Sequence, residues 1–322
     1  METFDSSLDG ILADYRLCLE TANRSTKTIS WYLDILRRFF SFLEERKYSI
    51  SVNEIGRDEV RAYIKHLQET KRWANKPGNG KDRGKMSAYS IRGHTRALKA
   101  CWSWLARESY IKSNPLEKFP LPKVPQYIIK ILTPEQIKLL LSAIDKATPL
   151  GFKYYCIILV LVDAGLRISE LVNIKLSDLD VQQRFITVFG KGQKQRVVPV
   201  SRITMRELLR YLDRFRQGNG YTDSPYLFPD QYGGSVSINS IQQYLRRLAQ
   251  RAGLGEVKVT PHIFRHTAAT HAAAQGANAF IIKEMLGHSS MQTTMRYVHP
   301  QPDDLKAQHN RFSMVNELFK KK

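Results

Sequence analysis

Four prolines fall between Asn114 and Pro125, and this stretch constrains the fold more than any other feature of the sequence. Proline lacks a backbone N–H donor and clashes with the preceding turn, so the stretch cannot form a helix. We interpret residues 113–127 as an extended linker between two domains. A length of 322 residues agrees with two domains. The sequence therefore predicts an N-terminal domain over residues 1–112 and a C-terminal domain over residues 128–322.

The segment before the prolines has the periodicity of four amphipathic helices. Apolar side chains recur there at spacings of three and four residues, which places them on one helical face. The predicted helices cover residues 8–21, 25–43, 57–67 and 87–108. The polar residues 71–85, rich in glycine and lysine, are predicted to form an exposed loop. We therefore expect the N-terminal domain to be a four-helix domain.

After the prolines, the pattern predicts a mainly helical domain with one small β-hairpin. Two short alternating stretches, Arg184–Phe189 and Gln195–Val200, flank the turn Gly190-Lys191-Gly192. One helix is predicted to begin at Thr133-Pro134. The other predicted helices cover residues 151–164, 202–216, 237–252, 261–275, 278–286, 290–297 and 303–320. The fold class is therefore mainly α, with a four-helix domain followed by an α+β domain.

The formal net charge of +20 indicates a polyanionic partner, although a solvated basic face would carry the same charge. The longest apolar run, Tyr154–Val162, is far too short to span a bilayer, and the first residues lack the pattern of a signal peptide. Cys18, Cys101 and Cys156 show neither metal-ligand nor disulfide spacing, as expected in a reducing cytoplasm. We therefore expect a cytoplasmic protein that binds nucleic acid and not a membrane, with its two domains forming a C-shaped clamp around a duplex.

One set of side chains carries the chemistry: Arg167, His262, Arg265, His288 and Tyr297. Arginine binds phosphate oxygens in a bidentate manner and stays charged at any working pH. Histidine can move a proton near pH 7, and tyrosine can act as a covalent nucleophile. Thr260-Pro261 also predicts the start of a helix, and helix N-termini favour anions. Together these residues suit the binding and attack of a phosphodiester.

In their order along the chain, these residues resemble the catalytic set of the tyrosine recombinase (phage-integrase) family. The match is spread over the motifs Ala-Gly-Leu-Arg167, Gly-Lys191-Gly, His262-x-x-Arg265, Leu-Gly-His288 and Met-Arg-Tyr297. It covers roughly residues 130–300, and its spacing is similar to that of the two-domain members that resolve chromosome dimers. The first 120 residues resemble the family only in their helical pattern.

The resemblance implies a site-specific recombinase that cleaves and rejoins double-stranded DNA through a 3′-phosphotyrosyl intermediate, with no metal, ATP or other cofactor. It implies that Tyr297 is the nucleophile, that Arg167 and Arg265 hold the scissile phosphate, and that Lys191 protonates the leaving 5′ oxygen. It also implies a homotetramer on two duplexes, with the last helix docked on a neighbouring protomer. Glu170, one helical turn after Arg167, is expected to hold that guanidinium in place.

Several alternatives stay open at the level of sequence. Lys194 and Arg196 compete with Lys191 as the general acid, or contact the DNA backbone. His266 is either structural or faces the substrate. His262 and His266 have the spacing of metal ligands, but no glutamate follows the first histidine, so we predict no metal site. A type IB topoisomerase would share the chemistry, and a non-catalytic DNA-binding protein would share the charge, but the complete motif set favours a recombinase.

Overall fold

A computed structural model describes residues 8–70, 85–125, 130–190, 194–216 and 223–295, together with the single residues 297, 309, 314 and 318. The chain forms two compact units, Met1–Tyr127 and Ile128–Lys322, each with its own hydrophobic core. The predicted start of the second domain at residue 128 coincides with this boundary. Within the described ranges, no helix combines the length and the apolar character needed to cross a membrane.

The first unit is helical, and the predicted helices are confirmed. Over its described residues they are α1 (Leu8–Thr21), α2 (Thr26–Glu45), α3 (Arg57–Glu69) and α4 (Ala88–Arg107). Ser25 and Ser87 begin α2 and α4, because each hydroxyl oxygen accepts a backbone N–H from the first turn. The apolar faces of the helices meet around the buried rings of Phe39, Tyr63 and Trp102.

The proline-rich stretch, predicted to be a linker over residues 113–127, packs on the first unit where the structure describes it. Leu116 and Phe119 are buried in the first core. The Lys99 ammonium donates to the carbonyls of Glu117 and Phe119, at 2.9 and 2.6 Å. Proline excludes a helix here, but it does not prevent the apolar side chains between the prolines from being buried. The extended segment is therefore part of the first unit's surface.

The second unit combines helices with a small sheet, as predicted. Its described helices are α5 (Pro134–Ser142), α6 (Pro149–Ala164), α7 (Ile168–Val172), α8 (Arg202–Arg210), α9 (Ile238–Arg251), α10 (Pro261–Ala274), α11 (Ala279–Leu286) and α12 (Met291–Thr294). Thr133 caps α5 in a capping box with Gln136. In α6 the alternation of polar and apolar faces is lost, because this helix lies in the core and is contacted by α8 and α10.

The predicted hairpin is present and gains a third strand. Strands β1 (Leu179–Asp180), β2 (Phe185–Phe189) and β3 (Gln195–Pro199) form an antiparallel sheet in the order β1-β2-β3. The β2–β3 register runs from Phe185 opposite Pro199 to Phe189 opposite Gln195. The Gly190 N–H donates to the Lys194 carbonyl at 2.8 Å and closes the base of the turn.

Two predicted helices differ from the structure near their C-terminal ends, and a third cannot be compared with it. The helix predicted over 202–216 is α-helical only to Arg210 and continues as a π-helix, Tyr211–Arg216. The π-helical turn directs the buried guanidinium of Arg216 to the carbonyls of Ser224 and Tyr226. The helix predicted over 290–297 ends at Thr294. The helix predicted over 303–320 lies mostly outside the described residues.

Candidate active site

Arg167 stands at a junction between two helices, where its backbone and its side chain are both held. Helix α6 ends at Gly165, whose φ of 60° is the left-handed conformation that glycine favours. Arg167 then begins α7, and Glu170 accepts its backbone N–H at 2.9 Å and its Nη1–H at 2.8 Å. This is the contact that the sequence predicted between Glu170 and Arg167. The Arg167 side chain remains 38% exposed, so its outer edge can reach a ligand.

Glu170 also binds a second arginine, Arg196 of strand β3. Arg196 donates from Nη1 and Nη2 to the two carboxylate oxygens, both at 2.8 Å. Burial by itself would raise the pKa of the Glu170 carboxyl, but the hydrogen bonds from Arg196 and Arg167 outweigh it and lower that pKa. Glu170 therefore stays ionised and holds both guanidiniums.

Three guanidiniums converge on the C-terminal end of α11. Each arginine donates to a different one of three consecutive carbonyls: Arg196 Nε to Met285 at 3.1 Å, Arg265 Nη2 to Leu286 at 2.7 Å, and Arg167 Nη2 to Gly287 at 2.7 Å. The last carbonyls of a helix lack partners within the helix and carry its negative dipole end, so cations are favoured there. This arginine cluster therefore fixes the end of α11 and Gly287, the residue that precedes His288.

Arg265 is the buried member of the arginine cluster. It lies in the first turns of α10, is 5% exposed, and also donates from Nη1 to the Gly165 carbonyl at 3.0 Å. Burial, and then the nearby charge of Arg167, lowers the pKa of the guanidinium to about 10. It is still charged at neutral pH. A buried cation of this kind is stabilised by an anion, and a DNA phosphate would supply one.

His262 and His266 link α10 to Tyr297. The Nε2 atoms of the two histidines lie 2.9 Å apart, one helical turn from each other. On its other side, His266 Nδ1 lies 2.6 Å from the Tyr297 hydroxyl oxygen. Burial, followed by the charges of Arg265 and Lys258, lowers the pKa of His262. His262 is therefore neutral at pH 7 and able to accept a proton.

His288 faces the ring of Tyr297. Their ring centroids are 6.2 Å apart and the rings are inclined by 16°. His288 Nδ1 lies 2.9 Å from the hydroxyl of buried Thr294, which orients the imidazole. Burial, and then the positive charges of Arg265 and Arg167, lowers the pKa of His288 to about 4. At neutral pH His288 is therefore a neutral hydrogen-bonding group.

The structure brings together most of the side chains singled out from the sequence, with two exceptions on the hairpin. Lys191 lies outside the described residues, and Lys194 is exposed beside the turn. Arg196 was expected to act as a general acid or to contact DNA, but it is turned inward, 13% exposed, and holds Glu170. Residues two apart in a strand lie on the same face of the sheet, so Arg196 shares a face with Val198, which is buried. This spacing is the sequence signal that could have indicated that Arg196 points inward.

The sequence also did not predict the bond between His266 and Tyr297, or the role of Thr294. Nothing in a local pattern marks either contact, because the residues that meet here lie on separate segments. Among the described residues, no group of three or more His, Cys, Asp or Glu side chains is placed to hold a metal ion.

Known proteins resemble this chain over both units. Residues 130–303 match the phage integrase family, and residues 11–111 match the N-terminal SAM-like domain of phage integrases. The chain is 32% identical over 289 residues to tyrosine recombinase XerC of Bacillus pumilus (strain SAFR-032), which is 88% of this chain and 89% of that protein. It is 31% identical over 294 residues to tyrosine recombinase XerD of Chlorobaculum tepidum (strain ATCC 49652 / DSM 12025 / NBRC 103806 / TLS), covering 90% and 91%.

Solved structures show the same fold. The structure of the Tn1549 transposon integrase in complex with transposon right end DNA is similar, with a TM-score of 0.72 at 22% identity, covering 94% of this chain and 99% of that one. The XerH site-specific recombinase bound to its difH substrate is similar with a TM-score of 0.68 at 20% identity, covering 96% and 85%.

Proposed function

Since the chain belongs to the phage integrase family and is a site-specific DNA recombinase, we propose that Tyr297 is the nucleophile with which it cleaves DNA. The observation that carries this proposal is the surroundings of the Tyr297 phenol. Its oxygen lies 2.6 Å from His266, and its ring lies beside His288, the residue that follows Gly287 at the end of α11. A phenol beside imidazoles and guanidiniums is in a setting that can take its proton and stabilise an attacked phosphate.

Arg167 and Arg265 are proposed to bind the non-bridging oxygens of the scissile phosphate. Each guanidinium has five N–H donors, which is more than the two side-chain contacts described above use. Both side chains are held by Glu170 or by helix-end carbonyls before DNA arrives. Such preorganised donors stabilise the charge that develops on the phosphate during attack and do not have to reorganise at that moment.

The proposed reaction conserves the phosphodiester bond energy. The Tyr297 oxygen attacks phosphorus, the bond to the 5′ oxygen breaks, and a 3′-phosphotyrosyl link forms. The leaving 5′ oxygen takes a proton from a general acid on the hairpin, for which Lys191 is the first candidate and Lys194 the second. The 5′ hydroxyl of the partner duplex then attacks the phosphotyrosyl link and releases Tyr297. The described arginines and histidines, together with a lysine of the hairpin, are proposed to supply the charge and the proton transfers that these steps need.

The partner is proposed to be a double-stranded recombination site. The net charge of +20 supports contact with many phosphates. Strand exchange needs two duplexes and four cleavable strands, so we propose a homotetramer on two sites. Action on chromosomal or mobile DNA implies the cytoplasm, and the free thiols of Cys18, Cys101 and Cys156 suit a reducing compartment.

A nicked suicide substrate tests the nucleophile, because loss of a short 5′ fragment traps the covalent adduct. Tyr297→Phe keeps the ring and removes only the oxygen, so it should abolish the adduct on a denaturing gel and leave DNA binding within about twofold of wild type. Tyr232→Phe is the matched control, since Tyr232 is 87% exposed in the same unit and should react normally. Adduct formation by Tyr297→Phe would show that another residue attacks the DNA.

A further inference from the structure

His266 lies between the Tyr297 phenol and His262, and its imidazole contacts both. Its Nδ1 is 2.6 Å from the phenol oxygen and its Nε2 is 2.9 Å from His262 Nε2. Only 8% of its surface is exposed. Given that Tyr297 is the nucleophile, we propose that His266 is a further catalytic residue, which takes the phenol proton through Nδ1 and passes its own Nε2 proton to His262.

Two hydrogen-bonding arrangements of these three groups are related by the proposed proton transfer. In the first, the phenol donates to His266 Nδ1, and His266 Nε2–H donates to His262 Nε2. In the second, every proton has moved one position: His266 Nδ1–H faces a tyrosinate oxygen, and His262 carries the extra proton on Nε2. A neutral imidazole has one donor and one acceptor nitrogen, so it can relay a proton and end neutral itself.

The proton balance of the cleavage step follows from this arrangement. As the Tyr297 oxygen bonds to phosphorus, the phenol O–H breaks and its proton reaches His266 Nδ1. The Nε2 proton of His266 moves to His262, which becomes an imidazolium, and His266 ends neutral with its tautomer exchanged. In the rejoining step the same protons return, and the departing tyrosine oxygen leaves as a phenol. One pair of residues therefore serves as base in one step and acid in the other.

Burial is the reason to prefer a relay over a single base. An isolated imidazolium at His266 would be a desolvated charge close to the cations of the arginine cluster, which is costly. His262 is exposed whereas His266 is buried, so an imidazolium at His262 can be hydrated even though Arg265 and Lys258 lie near it. Among the described residues, the charges of Arg265 and Lys258 act on His262, and His266 acts on His288.

Replacement of His266 by asparagine separates proton transfer from positioning. The side-chain oxygen of asparagine can lie near the place of Nδ1 and accept the phenol hydrogen bond, but an amide cannot take the proton. His266→Asn should slow adduct formation on the suicide substrate by about 10²- to 10⁴-fold, as for loss of a general base, with DNA binding unchanged. His271→Asn is the control, because His271 is exposed on the same helix and should keep the wild-type rate.

A more acidic nucleophile gives the decisive measurement. With 3,5-difluorotyrosine incorporated at position 297, the phenol needs less help to lose its proton, so the defect of His266→Asn should shrink by about tenfold or more. A rate for His266→Asn within about twofold of wild type would overturn the proposal, and so would a large defect that fluorination leaves unchanged, since that pattern indicates positioning of the ring.

Two controls keep this test independent of folding and of the proposed function. If His266→Asn lowers the thermal midpoint of the protein, the same comparison is made with His266→Gln, which keeps an amide near His262. If Tyr297→Phe still forms the adduct, the nucleophile assignment fails. If Tyr297→Phe is inactive while the His266 variants react normally, only the relay fails.

Discussion

Gly287 ends α11 with Arg196 packed directly against it, and this contact makes it a sensitive position. Its φ of 64° lies in the left-handed region, and a Cβ added there would lie 2.7 Å from Arg196 Nη1 and 2.8 Å from its Cζ. The guanidinium cannot move away without losing its bonds to Glu170 and Met285. Gly287→Ala is therefore expected to strain the backbone and to displace Arg196 as well.

The size of the effect is the sum of two terms. Holding alanine in the left-handed region costs about 1–2 kcal/mol. Loss of the hydrogen bonds between Arg196 and ionised Glu170 costs roughly 1.5–3 kcal/mol more. The second unit should therefore lose about 2.5–5 kcal/mol of unfolding free energy. At Gly253 φ is 71°, and an added Cβ would have no atom within 4 Å, so Gly253→Ala should cost only the first term.

Urea unfolding of the full chain with two probes can assign the loss to the second unit. All four tryptophans, at positions 31, 73, 102 and 104, precede the boundary at Tyr127, so tryptophan fluorescence reports on the first unit. Far-UV circular dichroism reports on the helices of both units. Gly287→Ala should lower the urea midpoint of the second-unit transition in circular dichroism and leave the fluorescence midpoint unchanged.

Comparison of the two alanine variants shows whether the contact with Arg196 adds to the cost of alanine at position 287. Equal losses for Gly287→Ala and Gly253→Ala would refute the reasoning, because the two sites share the backbone conformation and differ in the Arg196 contact. Gly287→Ala should also form less covalent adduct on the suicide substrate than Gly253→Ala, since His288 follows Gly287 directly. Equal adduct yields would remove the arginine cluster from any role in placing His288.

Four further outcomes concern the phosphate, the general acid, salt and pH. Arg167→Lys and Arg265→Lys should each slow cleavage about ten- to thousandfold, since lysine keeps the charge and loses the bidentate contact. This corresponds to a loss of roughly 1.4–4 kcal/mol of transition-state stabilisation. Rates within about twofold of wild type would show that these arginines do not bind the scissile phosphate. Lys191→Ala should cleave DNA slowly, and a 5′-bridging phosphorothiolate, whose sulfur leaves without a proton, should restore its cleavage rate. Restoration of the rate of Lys194→Ala instead would identify Lys194 as the general acid. Affinity for the recombination site, measured by fluorescence anisotropy, should fall about 10³- to 10⁵-fold between about 50 and 200 mM salt, and a flat profile would argue against contact with many phosphates. Folding lowers the pKa of His288 from 6.5 to about 4, so the unfolded chain binds more protons between these pH values. The urea midpoint of the second unit should therefore fall as pH is lowered from 6.5 to 4. His288→Gln should make the midpoint less dependent on pH in this range.

The helices and the hairpin were predictable because their signals are local. Thr133 with Gln136, and Thr260 with Pro261, mark helix starts through bonds within one turn. Strands β2 and β3 alternate around a glycine turn, and their pairing follows from it. The burial of Leu116 and Phe119 was not predicted, because proline content indicates where a helix is excluded and carries no information on which side chains are buried.

The order and spacing of the motifs also predicted a set of side chains that the structure places close together, including Arg167, Arg265 and Tyr297. Chemistry of this kind restricts the residue types so strongly that the pattern is visible in one sequence. The sequence alone could not decide what each side chain faces. Arg196 looked like a surface cation at a hairpin, and His266 looked like either a structural or a substrate-facing residue.

Only the tertiary structure decided those partners, because they come from distant segments. Arg196 bonds to Glu170, 26 residues before it, and to Met285, 89 residues after it. His266 meets Tyr297 across 31 residues. A local pattern records the bonds made within one turn or one hairpin, whereas these contacts depend on how β3, α7, α10 and α11 pack against one another. The same packing turns separate cations into one cluster at the end of a helix, where the unpaired carbonyls offer them a shared partner.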